Sequence, residues 1–155
     1  MYPVTIETLP DRDCAALLHT GPYDRIGETF GRLAATLGQA GLMWKLRGAP
    51  LALYLDDPAM VAPEALRAQA AFPIAAGTAL PPGLTAVRLA GGRHAVLTHT
   101  GPYSGLGAAW GWLYNDWLPR SGERHADRPP FECYPDDPAK VPEDRRRAQI
   151  CLPLA

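Results

Sequence analysis

His19-Thr20-Gly21-Pro22-Tyr23 returns 80 positions later as His99-Thr100-Gly101-Pro102-Tyr103. The same offset joins Gly27 to Gly107 and Gly31 to Gly111. It also joins Tyr54-Leu55-Asp56-Asp57-Pro58-Ala59 to Tyr134-Pro135-Asp136-Asp137-Pro138-Ala139, and Phe72-Pro73-Ile74 to Leu152-Pro153-Leu154. Separated motifs at one constant offset, with no gap between them, mark an internal duplication. The expectation is a single domain written as two modules, residues 1–78 and 79–155.

Each copy parses alike. Val4–Leu9 and Leu84–Leu89 alternate apolar and polar residues as half-buried strands do. A turn at Pro10-Asp11 or Gly91-Gly92 leads to a second strand, Cys14–His19 or His94–Thr100. The Gly-Pro pair breaks that strand, and Asp24 or Ser104 is expected to cap a helix. Ile26, Phe30, Leu33 and Leu37 carry its apolar stripe, repeated as Leu106, Trp110, Leu113 and Trp117. A third strand holds Tyr54 or Tyr134, and a closing strand runs near Ala68–Phe72 or Gln149–Leu152. This predicts an α+β fold: duplicated strand-strand-helix-strand-strand modules in a pseudo-twofold antiparallel sheet, with helices on one face. Two helices cannot cover a broad fused sheet, so a ligand groove is expected between the halves.

Composition narrows the function. The chain has 155 residues, a net charge of −1 and 47% hydrophobic residues, which excludes disorder and gives no footprint for phosphate binding. No apolar run reaches the ~20 residues of a membrane span, and no basic-then-apolar leader opens the sequence. Cys14, Cys133 and Cys151 are far apart, odd in number and without ligand-spaced histidines. They suit buried thiols in a reducing, cytoplasmic setting, with no metal and no cofactor expected. His19 and His99 recur at strand ends and are expected to hold the turn; His94 and His125 are isolated.

The copies control for each other: shared positions point to scaffold and differing ones to function. Leu51-Ala52-Leu53-Tyr54 becomes Phe131-Glu132-Cys133-Tyr134, so Glu132 stands where the first copy has Ala52. Strand alternation puts Glu132 on one face with Tyr134, and Ala52 with Tyr54. Glu132 either points into solvent or forms the floor of a pocket, because burying a carboxylate without partners is costly. Trp110-Gly111-Trp112-Leu113-Tyr114 and Trp117 replace Phe30-Gly31-Arg32-Leu33-Ala34 and Leu37. Trp110 and Trp117 fit the core stripe; Trp112 or Tyr114 falls beside it, where an aromatic wall would lie.

The twin His-Thr-Gly-Pro-Tyr motifs, Trp112-Leu113-Tyr114 with Trp117-Leu118-Pro119, and Pro130-Phe131-Glu132 through Asp136-Asp137-Pro138 resemble the GyrI-like small-molecule-binding domain. Ile150-Cys151-Leu152-Pro153-Leu154 fits its closing strand. The resemblance implies the effector-binding part of AraC- and MerR-type multidrug regulators, in which an acidic residue amid aromatic rings recognises hydrophobic, often cationic compounds. It implies a ligand set of Glu132, Tyr134, Tyr54, Trp112, Tyr114, Trp110 and Tyr103. No helix-turn-helix segment precedes the first repeat, so direct DNA binding is not expected, nor is a membrane role. The first expectation is a stand-alone receptor or sequestering module for amphipathic or aromatic small molecules. One alternative is a hydrolase of electrophilic, cyclopropane-bearing alkylating compounds, with Glu132 activating water and Tyr134 or Tyr103 holding the leaving oxygen. The other is a DNA gyrase inhibitor-like protein, although no exposed amphipathic helix or charged tail suggests a protein partner.

Overall fold

A computed structural model describes every residue from Met1 to Ala155. It is α+β, with eight strands and two principal helices in two compact units. One unit is Asp11–Ala90; the other joins Met1–Pro10 to Gly91–Ala155. No helix is long and apolar enough to cross a membrane.

The strands fall where alternation and turn residues place them. The Asp11–Ala90 unit is an antiparallel sheet ordered β3 (Leu51–Tyr54), β4 (Arg67–Pro73), β2 (Arg12–Thr20), β5 (Thr85–Leu89). In the other unit the order is β7 (Phe131–Cys133), β8 (Arg147–Pro153), β6 (Gly92–Thr100), β1 (Val4–Leu9). The two orders match, which agrees with a duplication, but the first strands are exchanged. Val4 of β1 lies opposite Leu97 of β6, and Thr85 of β5 opposite Ala16 of β2. The Pro10-Asp11 connection has no residue at positive φ. β1 does not fold back on β2, and β5 likewise does not pair with β6 although Gly92 has φ 109.

Helix α1 (Ile26–Gln39) packs Leu33 and Leu37, both 0% exposed, against Ala15, Ala70 and Ile74. Ile26 and Phe30 complete the expected stripe as partly buried residues. Thr29 is buried as well, because its hydroxyl lies 2.7 Å from His19 Nδ1. His19 Nε2 meets the Pro22 carbonyl at 2.9 Å, and His99 Nε2 meets that of Pro102 at 2.9 Å. Both histidines therefore hold the Gly-Pro turn. Asp24 and Ser104, expected as helix caps, lie instead inside 3-10 turns (Tyr23–Arg25 and Tyr103–Gly105) and make no capping bond. The turns satisfy early donors themselves: Arg25 N–H bonds the Pro22 carbonyl, and Gly105 N–H that of Pro102.

The second helix departs from the first. Helix α2 (Leu106–Trp112) passes into a π turn, Leu113–Trp117, and then a short α3, Leu118–Ser121. Leu118 N–H bonds the Leu113 carbonyl across the wide turn. Pro119 has no N–H and would press on the carbonyl of residue 115 in a straight helix; widening the turn relieves that clash. The π turn adds one residue, so the left-handed glycine that ends the helix is Gly122 against Gly41, an offset of 81. The loop then shortens: the edge bridge Leu46–Ile74 recurs as His125–Leu154. The gapless 80-residue offset thus conceals a compensated insertion.

A repeated ionic clamp closes each unit. Arg67 holds Asp56 through its backbone N–H at 2.9 Å, Nε at 3.0 Å and Nη2 at 3.0 Å, and Arg147 holds Asp136 in the same way. The Arg147 bonds lower the Asp136 carboxyl from 3.8 to about 2. A lowered carboxyl adds stability above its unfolded value and loses it as pH falls through the folded one. The clamp therefore contributes fully above pH 3.8 and fades towards pH 2. Carboxyl NMR should place the Asp136 titration near 2. In Asp136→Asn the acid-induced drop in unfolding midpoint over that interval should be smaller, and an unchanged acid limb would contradict the clamp.

Candidate functional site

Pairing of β7 with β8 sets Phe131 opposite Cys151 and Glu132 opposite Ile150. The strand is covered on both faces, with Phe131 1% and Glu132 3% exposed. Glu132 therefore does not point into solvent. Its Oε2 accepts the Trp110 indole N–H at 2.5 Å and its Oε1 accepts the Tyr134 hydroxyl at 2.5 Å. Hydrogen bonds to both oxygens replace hydration that burial removes.

Two exchanges between the copies build this clasp together. Ala52 becomes Glu132, and Phe30 becomes Trp110, whose indole N–H is the donor. A third exchange, Leu55 to Pro135, alters the strand end beside Tyr134. In the first copy Tyr54 pairs with Ala68 in the ladder, and Leu55 N–H bonds the Arg67 carbonyl at 3.1 Å. Proline cannot make that bond, so β7 ends at Cys133 and Tyr134 lies beyond it. The Tyr134 hydroxyl reaches Glu132, while the ring lies beside Tyr103 as that of Tyr54 lies beside Tyr23.

Other aromatic groups surround the clasp. Tyr103 lies 5.5 Å from the Tyr134 ring, and the Arg146 guanidinium sits 5.4 Å from the Tyr103 centroid. Burial raises the Tyr103 phenol, with Arg146 opposing. Tyr114 stacks on Trp110 at 6.0 Å and 15°, and meets His125 at 5.9 Å. Burial pushes the His125 imidazole below its usual value, against the pull of Asp127.

The candidate residues are thus only partly gathered. Glu132, Trp110, Tyr134, Tyr103 and Tyr114 form one cluster. Trp112 meets Tyr2 at 5.3 Å and lines an open surface notch with Asp116, Trp117, Arg120 and Ser121. Tyr54 belongs to the Asp11–Ala90 unit, where its ring meets Tyr23 at 4.8 Å. Sequence reasoning placed Trp110 both in the core stripe and in the ligand set, set His125 aside as isolated, and did not single out Pro135 or Arg146. The signals were present in the copy comparison, where Leu55 becomes Pro135 and Leu66 becomes Arg146.

A buried acid held by aromatic donors thus sits on an α+β scaffold of matched strand orders. A model of the GyrI-like small-molecule-binding domain matches residues 2–155, and the chain belongs to that family. A protein of Edwardsiella piscicida described as a DNA gyrase inhibitor is 38% identical over 140 residues, covering 86% of this chain and 87% of that protein. The crystal structure of the EcmrR C-terminal domain superposes with a TM-score of 0.86 at 16% identity, covering 100% of this chain and 98% of that one. The chain spans only 57% of EcmrR as seen in its DNA complex. SAV2435, solved bound to tetraphenylphosphonium, has a TM-score of 0.70 at 13% identity, covering 99% of this chain and 94% of its own.

Paired substitutions test the clasp. Removing the indole donor in Trp110→Phe should cost about 1–3 kcal/mol, because it strips a buried carboxylate of one bond. Combined with Glu132→Ala, which restores the Phe30/Ala52 pairing of the first copy, the double variant should lose less than the sum of the single losses, by at least about 0.5 kcal/mol. Urea unfolding reads this coupling, and strict additivity would rule the bond out as a stabilising contact.

Proposed function

We propose that the Glu132 cluster is the receptor site of this domain, taking hydrophobic cationic small molecules for sensing or sequestration. One observation carries the proposal: a carboxylate only 3% exposed whose bonds to Trp110 and Tyr134 come from neutral aromatic groups. Indole and phenol donors are uncharged and supply hydrogen bonds to a carboxylate. A flat or bulky cation can then gain both Coulombic attraction and contact with ring faces. The cation bound to SAV2435, on the same fold, is of that chemical kind.

Calorimetric titration with tetraphenylphosphonium should give a dissociation constant in about the micromolar range. Glu132→Gln, which keeps shape but removes charge, should weaken binding about tenfold or more, as a unit charge a few ångströms away implies. Equal affinity in the folded variant would overturn the proposal.

The description of the Edwardsiella relative favours a second reading, inhibition of DNA gyrase. A supercoiling assay separates the two. Inhibition that survives Glu132→Gln would place that activity on another surface.

A further inference from the structure

Tyr103 and Tyr23 occupy the same place in the two copies and differ in their hydroxyls. The Tyr23 hydroxyl lies 2.8 Å from the Asp56 carbonyl and 2.7 Å from that of Arg67, and accepts the Asp56 N–H at 3.2 Å. The Tyr103 hydroxyl is buried and makes no hydrogen bond. Arg146, whose guanidinium lies by the Tyr103 ring, also keeps a buried Nε without an acceptor. Its Nη2 is occupied by the Pro138 and Val141 carbonyls, at 3.2 Å each. The first copy has Leu66 at that position.

A buried donor left unpaired is costly, and native structures rarely keep one without a purpose. Here two occur on neighbouring side chains, with the Arg146 guanidinium 5.4 Å from the Tyr103 ring centroid, in the copy that carries Glu132 and beside the ring of Tyr134. Pro135 supplies a cause. Loss of the residue-135 N–H ends the β7 ladder early, where the first copy brings backbone oxygens to Tyr23. With the ladder ended there, the Tyr103 hydroxyl is left without the partners its counterpart has.

Resting on the receptor reading above, we infer that the ligand carries a hydrogen-bond acceptor beside its cationic group, a carbonyl or ether oxygen, and that Tyr103 recognises it with Arg146 alongside. Glu132 selects for positive charge; Tyr103 selects among cations for those bearing an oxygen. Because burial raises the Tyr103 phenol, it remains a donor through the neutral range.

Two probes differing only at one carbon test this: phenacyltrimethylammonium, which carries a ketone, and 2-phenylethyltrimethylammonium, which carries a methylene there. The wild-type chain should prefer the ketone about three- to tenfold, the range of one hydrogen bond. Tyr103→Phe should erase that preference and leave affinity for the methylene probe within about twofold. Glu132→Gln should weaken both probes alike. Thermal unfolding adds a control: Tyr103→Phe should keep or raise the midpoint, whereas Tyr23→Phe, which breaks made bonds, should lower it. Equal wild-type affinity for the two probes, or an equal loss of both in Tyr103→Phe, overturns this inference alone. Failure of both probes to bind the wild-type chain at millimolar concentration overturns the receptor reading and this inference with it.

Discussion

A carboxylate shut away from water must be solvated by the protein, and most of what distinguishes the second copy follows from that need. Glu132 stands on a strand covered on both faces, where its counterpart is the small and apolar Ala52. Placing the acid there requires donors within reach of each oxygen. Trp110 answers from helix α2, and Tyr134 answers once Pro135 has ended the ladder. Each of these exchanges would be unfavourable alone. An indole N–H without an acceptor, a proline within a strand pattern and a lone buried acid each lose free energy; together they make a bonded unit.

The rest of the chain keeps that unit in register. Matched strand orders, histidine-bound Gly-Pro turns and Asp–Arg clamps recur in both units. Exchange of β1 and β5 binds each sheet to sequence from the other repeat, so neither sheet is complete without it. The π turn is the one place where the second helix yields. It falls just after Trp110 and includes Tyr114, which stacks on that indole. Wide turns of this kind often occur at functional sites, where they aim side chains that a regular helix would direct elsewhere.

Much of this was legible because the sequence contains its own control. Period-two alternation located the strands, and the pairing of Ala52 with Glu132 located the acid without any homologue. Three things were not legible. Strand exchange depends on which edge β1 reaches, and a turn such as Pro10-Asp11 states only that the chain bends. Bonding between Trp110 and Glu132 joins residues 22 apart, so each substitution looked like a separate packing change. The π turn was hidden because its extra residue is returned within the next loop, leaving the 80-residue offset intact. Pro119 was the visible clue, since a helix cannot carry proline there without adjustment.

The indole N–H spectrum of the protein tests the central claim most directly. Four tryptophans give four indole signals, and substitution assigns the one from Trp110. A donor bonded to a buried carboxylate should resonate well downfield of the other three. It should move on saturation with tetraphenylphosphonium, as the cation competes for Glu132. A Trp110 signal at the position of an exposed indole, unmoved by the ligand, would contradict both the clasp and its role as the polar anchor of the site.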